Sequence, residues 1–271
     1  MSSDQSVCPY CGEKHPGAWY KKILYSAIFN DPVKFAKLII GINVVIYVLS
    51  IFMSGTSTGL SLNPLNFLSP DTRSLIFLGA GGRIPVDRFS FYWSFISASY
   101  LHGSVLHIFF NMVAFYQLFG IMNNFYGVAR SFIIYFFSGI AGFFLSYKMG
   151  TPLTIGASAA ICGFIGACFY YGFSRGGMYG KLVLKQVSGW ILSLAVFGLL
   201  VPGIDNFGHL GGFIGGALTA FLLNYKEQRQ ENFVDRLIFI ILFIFTILVL
   251  IWSVLVASGV LKFIPINYWR L

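Results

Sequence analysis

Charge is scarce in this chain. Asp, Glu, Lys and Arg make up 10% of its 271 residues, against about 25% in a soluble globular domain. So few charges cannot clothe a water-facing surface, which excludes an ordinary soluble fold. Acidic residues are scarcer still, 9 against 18 Lys+Arg, and none falls in the interior of a long apolar run. With no His-Glu-x-x-His spacing either, a catalytic zinc site of the helical type is excluded. Only 4 Cys are present, two in a polar head (Cys8, Cys11) and two in an apolar run (Cys162, Cys168), so a disulfide framework is not expected. A cleavable leader does not fit the start: residues 1–34 are polar, and the first apolar run is long enough to span.

What is abundant is apolar surface: 57% hydrophobic and 18% aromatic residues, with 30 Phe. A membrane helix needs about 20 mostly apolar residues. Such runs lie near 35–53, 95–119, 131–148, 153–173, 183–201, 204–223 and 237–257, which predicts an all-α, polytopic membrane bundle of seven spans. Lys14, Lys21, Lys22, Lys34 and Lys37 precede the first span and place the N-terminus in the cytoplasm. Alternating from there leaves Arg73, Arg83, Arg88, Lys148, Lys262 and Arg270 outside, and every other Lys and Arg inside. The net charge of +9 then reads as membrane anchoring and attraction to anionic lipid. Nucleic acid is not an expected partner, since that would want a continuous basic face. Short loops and a compact chain point to a bacterial inner membrane.

Three segments follow: a cytoplasmic head (1–34), a six-span core (35–224), and a tail (225–271) made of a linker, a seventh span and a short outer end. In the head, Cys8-Pro9-Tyr10-Cys11-Gly12 has zinc-knuckle spacing, and His15 is a plausible third ligand. A closed structural site needs four ligands, so this is a zinc half-site at most. Residues 54–91 form a long connection too apolar to be simply solvated, and loops of that length are commonly functional.

Polar side chains inside spans are costly and mark a functional interior. The fourth run carries Gly156-Ala157-Ser158-Ala159 among small residues that let helices approach closely. The sixth carries His209 at the head of two overlapping G-x-x-x-G pairs, Gly211/Gly215 and Gly212/Gly216. Both runs enter from the outer side, with Ser158 and His209 each about five residues in. At 1.5 Å per residue the two side chains share a depth about 7 to 10 Å below the interface, where a hydroxyl and an imidazole form the minimal nucleophile and base. In the second run His107 and Asn111 share one helical face and offer hydrogen-bond donors for developing negative charge. His102, five residues before His107, joins them only if it precedes the regular helix. Asp205 lies one turn before His209 and is expected to be an interfacial loop residue with a hydrated charge.

These motifs together resemble the rhomboid family of intramembrane serine proteases: H-x-x-x-x-H-x-x-x-N at His102, His107 and Asn111, G-x-S-x at Gly156 to Ala159, and His-x-Gly-Gly at His209 to Gly212. The resemblance covers about residues 36–224 and makes the chain a six-plus-one member. It implies Ser158 as nucleophile and His209 as base, without a carboxylate. It implies an oxyanion site of His107, Asn111 and the Ser158 amide, supporting roles for His102 and Gly156, and no cofactor for catalysis. It also implies single-span membrane proteins as substrates, cut near the outer side of the bilayer. Two positions depart from the family pattern: Ala159 stands where Gly is usual, and Ser94 follows Trp93 where Arg is usual. A small-solute transporter, or a non-catalytic binder of membrane clients, are the alternative readings.

Overall fold

The computed structural model describes residues 31–61, 63, 66–201, 203–223 and 231–259. Helix α1 (Pro32–Ser54) starts at a proline, and the Asp31 carboxylate accepts from the amides of Val33 and Lys34, the usual remedy for unpaired first-turn N–H groups. A short antiparallel pair follows, β1 (Gly59–Leu60) with β2 (Phe67–Ser69). Then come α2 (Thr72–Phe77), a π turn at Ile84–Arg88, α3 (Ser94–Ser97) and a 3-10 turn at Ala98–Tyr100. The rest is long helix: α4 (Val105–Tyr126), α5 (Val128–Lys148), α6 (Ser158–Arg175), α7 (Gly177–Leu200), α8 (Asn206–Leu222) and α9 (Phe233–Ala257). The fold is a membrane-type helical bundle, as the composition predicts.

Five of these helices, α1, α4, α5, α7 and α9, are long and apolar enough to cross a membrane. The other two expected spans, α6 and α8, have 18 and 17 residues and sit inside the bundle, packed on each other and on α5. Two expected boundaries move. The second long run is helical only from Val105, because the Ser104 hydroxyl caps it by accepting from the His107 amide at 3.2 Å. Residues 95–104 form short turns instead. The fourth run becomes helical at Ser158, not at 153, so Gly156 lies before the helix with φ +123°, a conformation open to glycine.

Segment 54–91 is folded into the bundle. Leu75, Ile76, Phe77, Leu78 and Ala80 are buried, the Asp71 amide donates to Ser54 Oγ at 2.8 Å, and Gly81 pairs with Thr154. Phe77 and Phe91 pack on Val256 near the C-terminal end of α9. At the other end of α9, Asp235 accepts from Nε and Nη2 of Arg130 on α5, at 2.9 and 2.6 Å. It also completes a capping box with Asn232. Arg130 is 3% exposed. Its charge is therefore met inside the protein by Asp235.

The core is packed in two ways. On one side Phe35 of α1 meets Phe119 of α4, Phe132 of α5 and Phe239 and Phe243 of α9, with ring centroids 5.3 to 5.9 Å apart. On the other side α8 meets two helices through glycine. Gly211 and Gly215 face Ala141 of α5, while Gly212 and Gly216 face Ala159 and Gly163 of α6. The two overlapping G-x-x-x-G pairs therefore serve two different neighbours.

Candidate active site

Ser158 is the first residue of α6, and His209 is in the first turn of α8. The glycine seam between these helices sets their separation. A Cβ added to Gly212 would overlap the carbonyl of Ala159, and one added to Gly216 would overlap that of Gly163. Backbones this close bring the two side chains together: Ser158 Oγ and His209 Nε2 are 2.9 Å apart, across 51 residues of sequence. Neither residue is fully buried. A hydroxyl within hydrogen-bond reach of an imidazole is the arrangement by which a base activates an oxygen nucleophile.

The segment leading into α6 is held from behind. The Gly156 amide donates to the carbonyl of Ala98 at 2.9 Å. A Cβ at Gly156 would lie 2.7 Å from His107 Nε2 and 3.7 Å from Ser158 Oγ. The glycine thus leaves open a small space with the imidazole on one side and the hydroxyl on another. The Gly103 amide donates to His107 Nδ1 at 3.2 Å. That bond assigns the proton of a neutral ring to Nε2 and aims a donor at this space. Since α6 begins at Ser158, its first amides have no carbonyl partner within the helix and carry the positive end of its dipole.

The remaining expected residues are placed as follows. Asn111 is buried one turn after His107, and its Nδ2 donates to the His107 carbonyl at 2.9 Å. His102 precedes α4, as convergence required, and is fully buried with its ring edge-on to His107 at 5.1 Å. Ala159 is 3% exposed and packs with Ala98 and Phe143, so its extra methyl points into the helix seam and away from the open space. Ser94 is fully buried and Trp93 packs on Phe91 at 4.9 Å, so this stretch is anchored by apolar contact.

Two contributors escaped the sequence reading: Ala98, whose carbonyl holds Gly156, and Ser146, the partner of Asp205. Asp205 is the N-cap of α8, accepting from the Gly208 amide at 3.0 Å, and Ser146 of α5 donates to its other oxygen. It therefore stands just before the helix and partly exposed, as expected of an interfacial loop residue, but its carboxylate is also held by two hydrogen bonds. Ser146 was legible only as one of several small residues on α5, at four-residue spacing with Ser138 and Gly142. Cys8, Cys11 and His15 lie outside the described residues. Among the described residues no three His, Cys, Asp or Glu side chains are grouped to hold a metal.

A family model described as the Rhomboid domain matches residues 90–226, the stretch from just before α3 to just past α8. The chain is 30% identical over 163 residues to rhomboid protease GluP of Bacillus subtilis, covering 60% of this chain and 32% of that protein. It is 31% identical over 176 residues to RHOMBOID-like protein 4 of Arabidopsis thaliana, covering 63% and 44%. With Rhomboid-like protease 3 of Toxoplasma gondii it shares 27% over 169 residues, covering 60% and 62%. The matches thus span from about a third to under two thirds of these relatives' own lengths. The model covers about half of the chain, every residue of the Ser158 and His209 site falls within it, and the apolar helices around that site belong to an integral membrane protein: the chain is a member of the rhomboid family.

Proposed function

We propose that the protein is an intramembrane serine endopeptidase that cleaves single-span membrane proteins by a Ser158–His209 dyad. The observation that carries this reading is the 2.9 Å contact between Ser158 Oγ and His209 Nε2, supported by family membership. His209 takes the hydroxyl proton as Ser158 Oγ attacks a peptide carbonyl. The carbonyl oxygen, now negative, sits in the space beside Gly156, where the His107 Nε2–H, the Ser158 amide and the start of α6 stabilise it. Asn111, next along the α4 face, gives one amide N–H to the His107 carbonyl and has a second to lend to the same anion. His209 then returns the proton to the leaving amine, and water releases the acyl group by the reverse steps. His102 supports His107 from behind, and no cofactor takes part.

A substrate helix hides its carbonyls in hydrogen bonds, so residues that weaken a helix near the cut favour cleavage. The basic residues before the first span and at the Arg130 end put that end in the cytoplasm, and so place the dyad toward the outer side of the membrane. The inner membrane of a bacterium is the proposed location. We retain the division into head (1–34), protease core (35–224) and tail (225–271). Ala159 is compatible with activity because its methyl is directed away from the nucleophile.

The test is cleavage of a panel of single-span reporters by the detergent-purified full chain, together with labelling by a serine-reactive phosphonate probe. Wild type is expected to cleave at least one reporter and to label at Ser158. Ser158→Ala is expected to do neither, and His209→Ala to lose cleavage by at least about a thousandfold, both with wild-type melting behaviour. Cleavage by Ser158→Ala at the wild-type rate would overturn the proposal. A protein that binds reporters without labelling or cutting them would be a non-catalytic binder instead.

A further inference from the structure

We infer that Asp205 and Ser146 form a positioning pair that sets where His209 stands, an inference that rests on the serine-protease reading. Asp205 is half-buried and uses both carboxylate oxygens. One accepts from the Gly208 amide at 3.0 Å, fixing the first turn of α8. The other accepts from the hydroxyl of Ser146, which is fully buried on α5. The Asp205 carbonyl in turn accepts from the amide of His209 itself, at 3.1 Å. Asp205 therefore joins the catalytic imidazole's own backbone to a different helix.

Two further observations show that the position is built. A Cβ at Gly208 would lie 2.7 Å from the carboxylate and 3.0 Å from Ser146 Oγ, so the residue before His209 leaves room for this contact. The next residue, Asn206, ties the same helix start to α7, its Nδ2 donating to the Gly198 carbonyl at 3.0 Å. Among the described residues between Val187 and the end of α7, Gly198 is the one that is buried. The start of α8 is thus held from two sides, by Asp205 on α5 and by Asn206 on α7. Sliding along the glycine seam is the motion these ties oppose. An unwanted shift of about 1 Å in a catalytic group costs as much as a hundredfold in rate.

The carboxylate does not need to touch the imidazole for this role, and an amide can replace it. In Asp205→Asn the new side-chain oxygen would accept from Gly208, and its nitrogen would donate to Ser146 Oγ. We therefore expect Asp205→Ala to lower kcat on a cleaved reporter by about tenfold or more, with KM within about twofold. Ser146→Ala should lower kcat by about threefold, the double variant should be no worse than Asp205→Ala, and Asp205→Asn should recover to within about threefold of wild type.

A kcat for Asp205→Ala within about twofold of wild type would overturn the inference, as would multiplicative losses in the double variant. Failure of Asp205→Asn to recover would show that the charge, not the tie, is what matters, and would also overturn it. Should Asp205→Ala not fold, Ser146→Ala decides alone, since it removes one hydroxyl. If wild type neither cleaves nor labels at Ser158, the protease reading is what has failed. The ring resonances of His209, identified by their loss in His209→Ala, then still decide the pair: identical signals in wild type and Ser146→Ala would refute it.

Discussion

Around Gly142, Gly163, Gly212 and Gly216 the helices of this bundle meet backbone to backbone, whereas around Phe35 they are held apart by rings from four helices. In lipid neither contact gains from removal of water, so both rest on close packing. They differ in what they can tolerate. A ring can tilt or a rotamer can change to absorb a small error, but a backbone carbonyl pressed against a glycine has nowhere to go. The Ser158 and His209 side chains hang from the unyielding side, where Gly212 lies against Ala159, one residue past Ser158.

The largest effect expected from this contrast is in Gly212→Ala. One methyl group must separate α6 from α8, and cleavage and probe labelling should fall by at least about a hundredfold. Activity within about tenfold of wild type would show that the seam gives way after all. Next comes Asp235→Ala, on the ring-packed side. It leaves the 3%-exposed Arg130 without this partner, and should cost about 3–5 kcal/mol of stability in detergent unfolding, while the folded fraction still labels at Ser158. Loss of labelling in molecules that remain folded would show that the two sides are not independent. The smallest effect is expected for Phe239→Leu, a loss of about 1 kcal/mol with kcat within about twofold. A tenfold fall in kcat there would remove the distinction between a tolerant and an intolerant side.

How much of this was legible in the sequence follows from the kind of signal each residue gives. The Ser158 and His209 pairing was readable because both stand at the start of glycine-spaced runs entering from one side, and equal depth then follows from helix rise alone. The start of α4 was not readable. Residues 95–104 hold Phe, Ile, Tyr and Leu, which merged them with the apolar run beyond, although Ser97, Ser99, His102, Gly103 and the Ser104 cap break the helix there. Gly156 was read as helix for the same reason, since a run of small apolar residues does not reveal a positive φ. Ser146 was hidden among look-alikes. Ser131 and Ser138 on the same helix return their hydroxyls to carbonyls four residues back, while Ser146 reaches across to Asp205. The pairing of Arg130 was not legible because its partner lies 105 residues later.

The Arg130–Asp235 pair joins two parts of the sequence that lie far apart. Helices α5, α6 and α8, with the Ser158–His209 contact, all precede Asp235 in the sequence. A buried guanidinium is tolerated where a carboxylate meets it directly, and here that carboxylate comes from a helix 105 residues further along the chain. Besides Asp235, α9 brings Phe239 and Phe243 beside Phe35. The same helix thus closes an ion pair at one end and a ring cluster beside it, while standing apart from the Ser158–His209 contact.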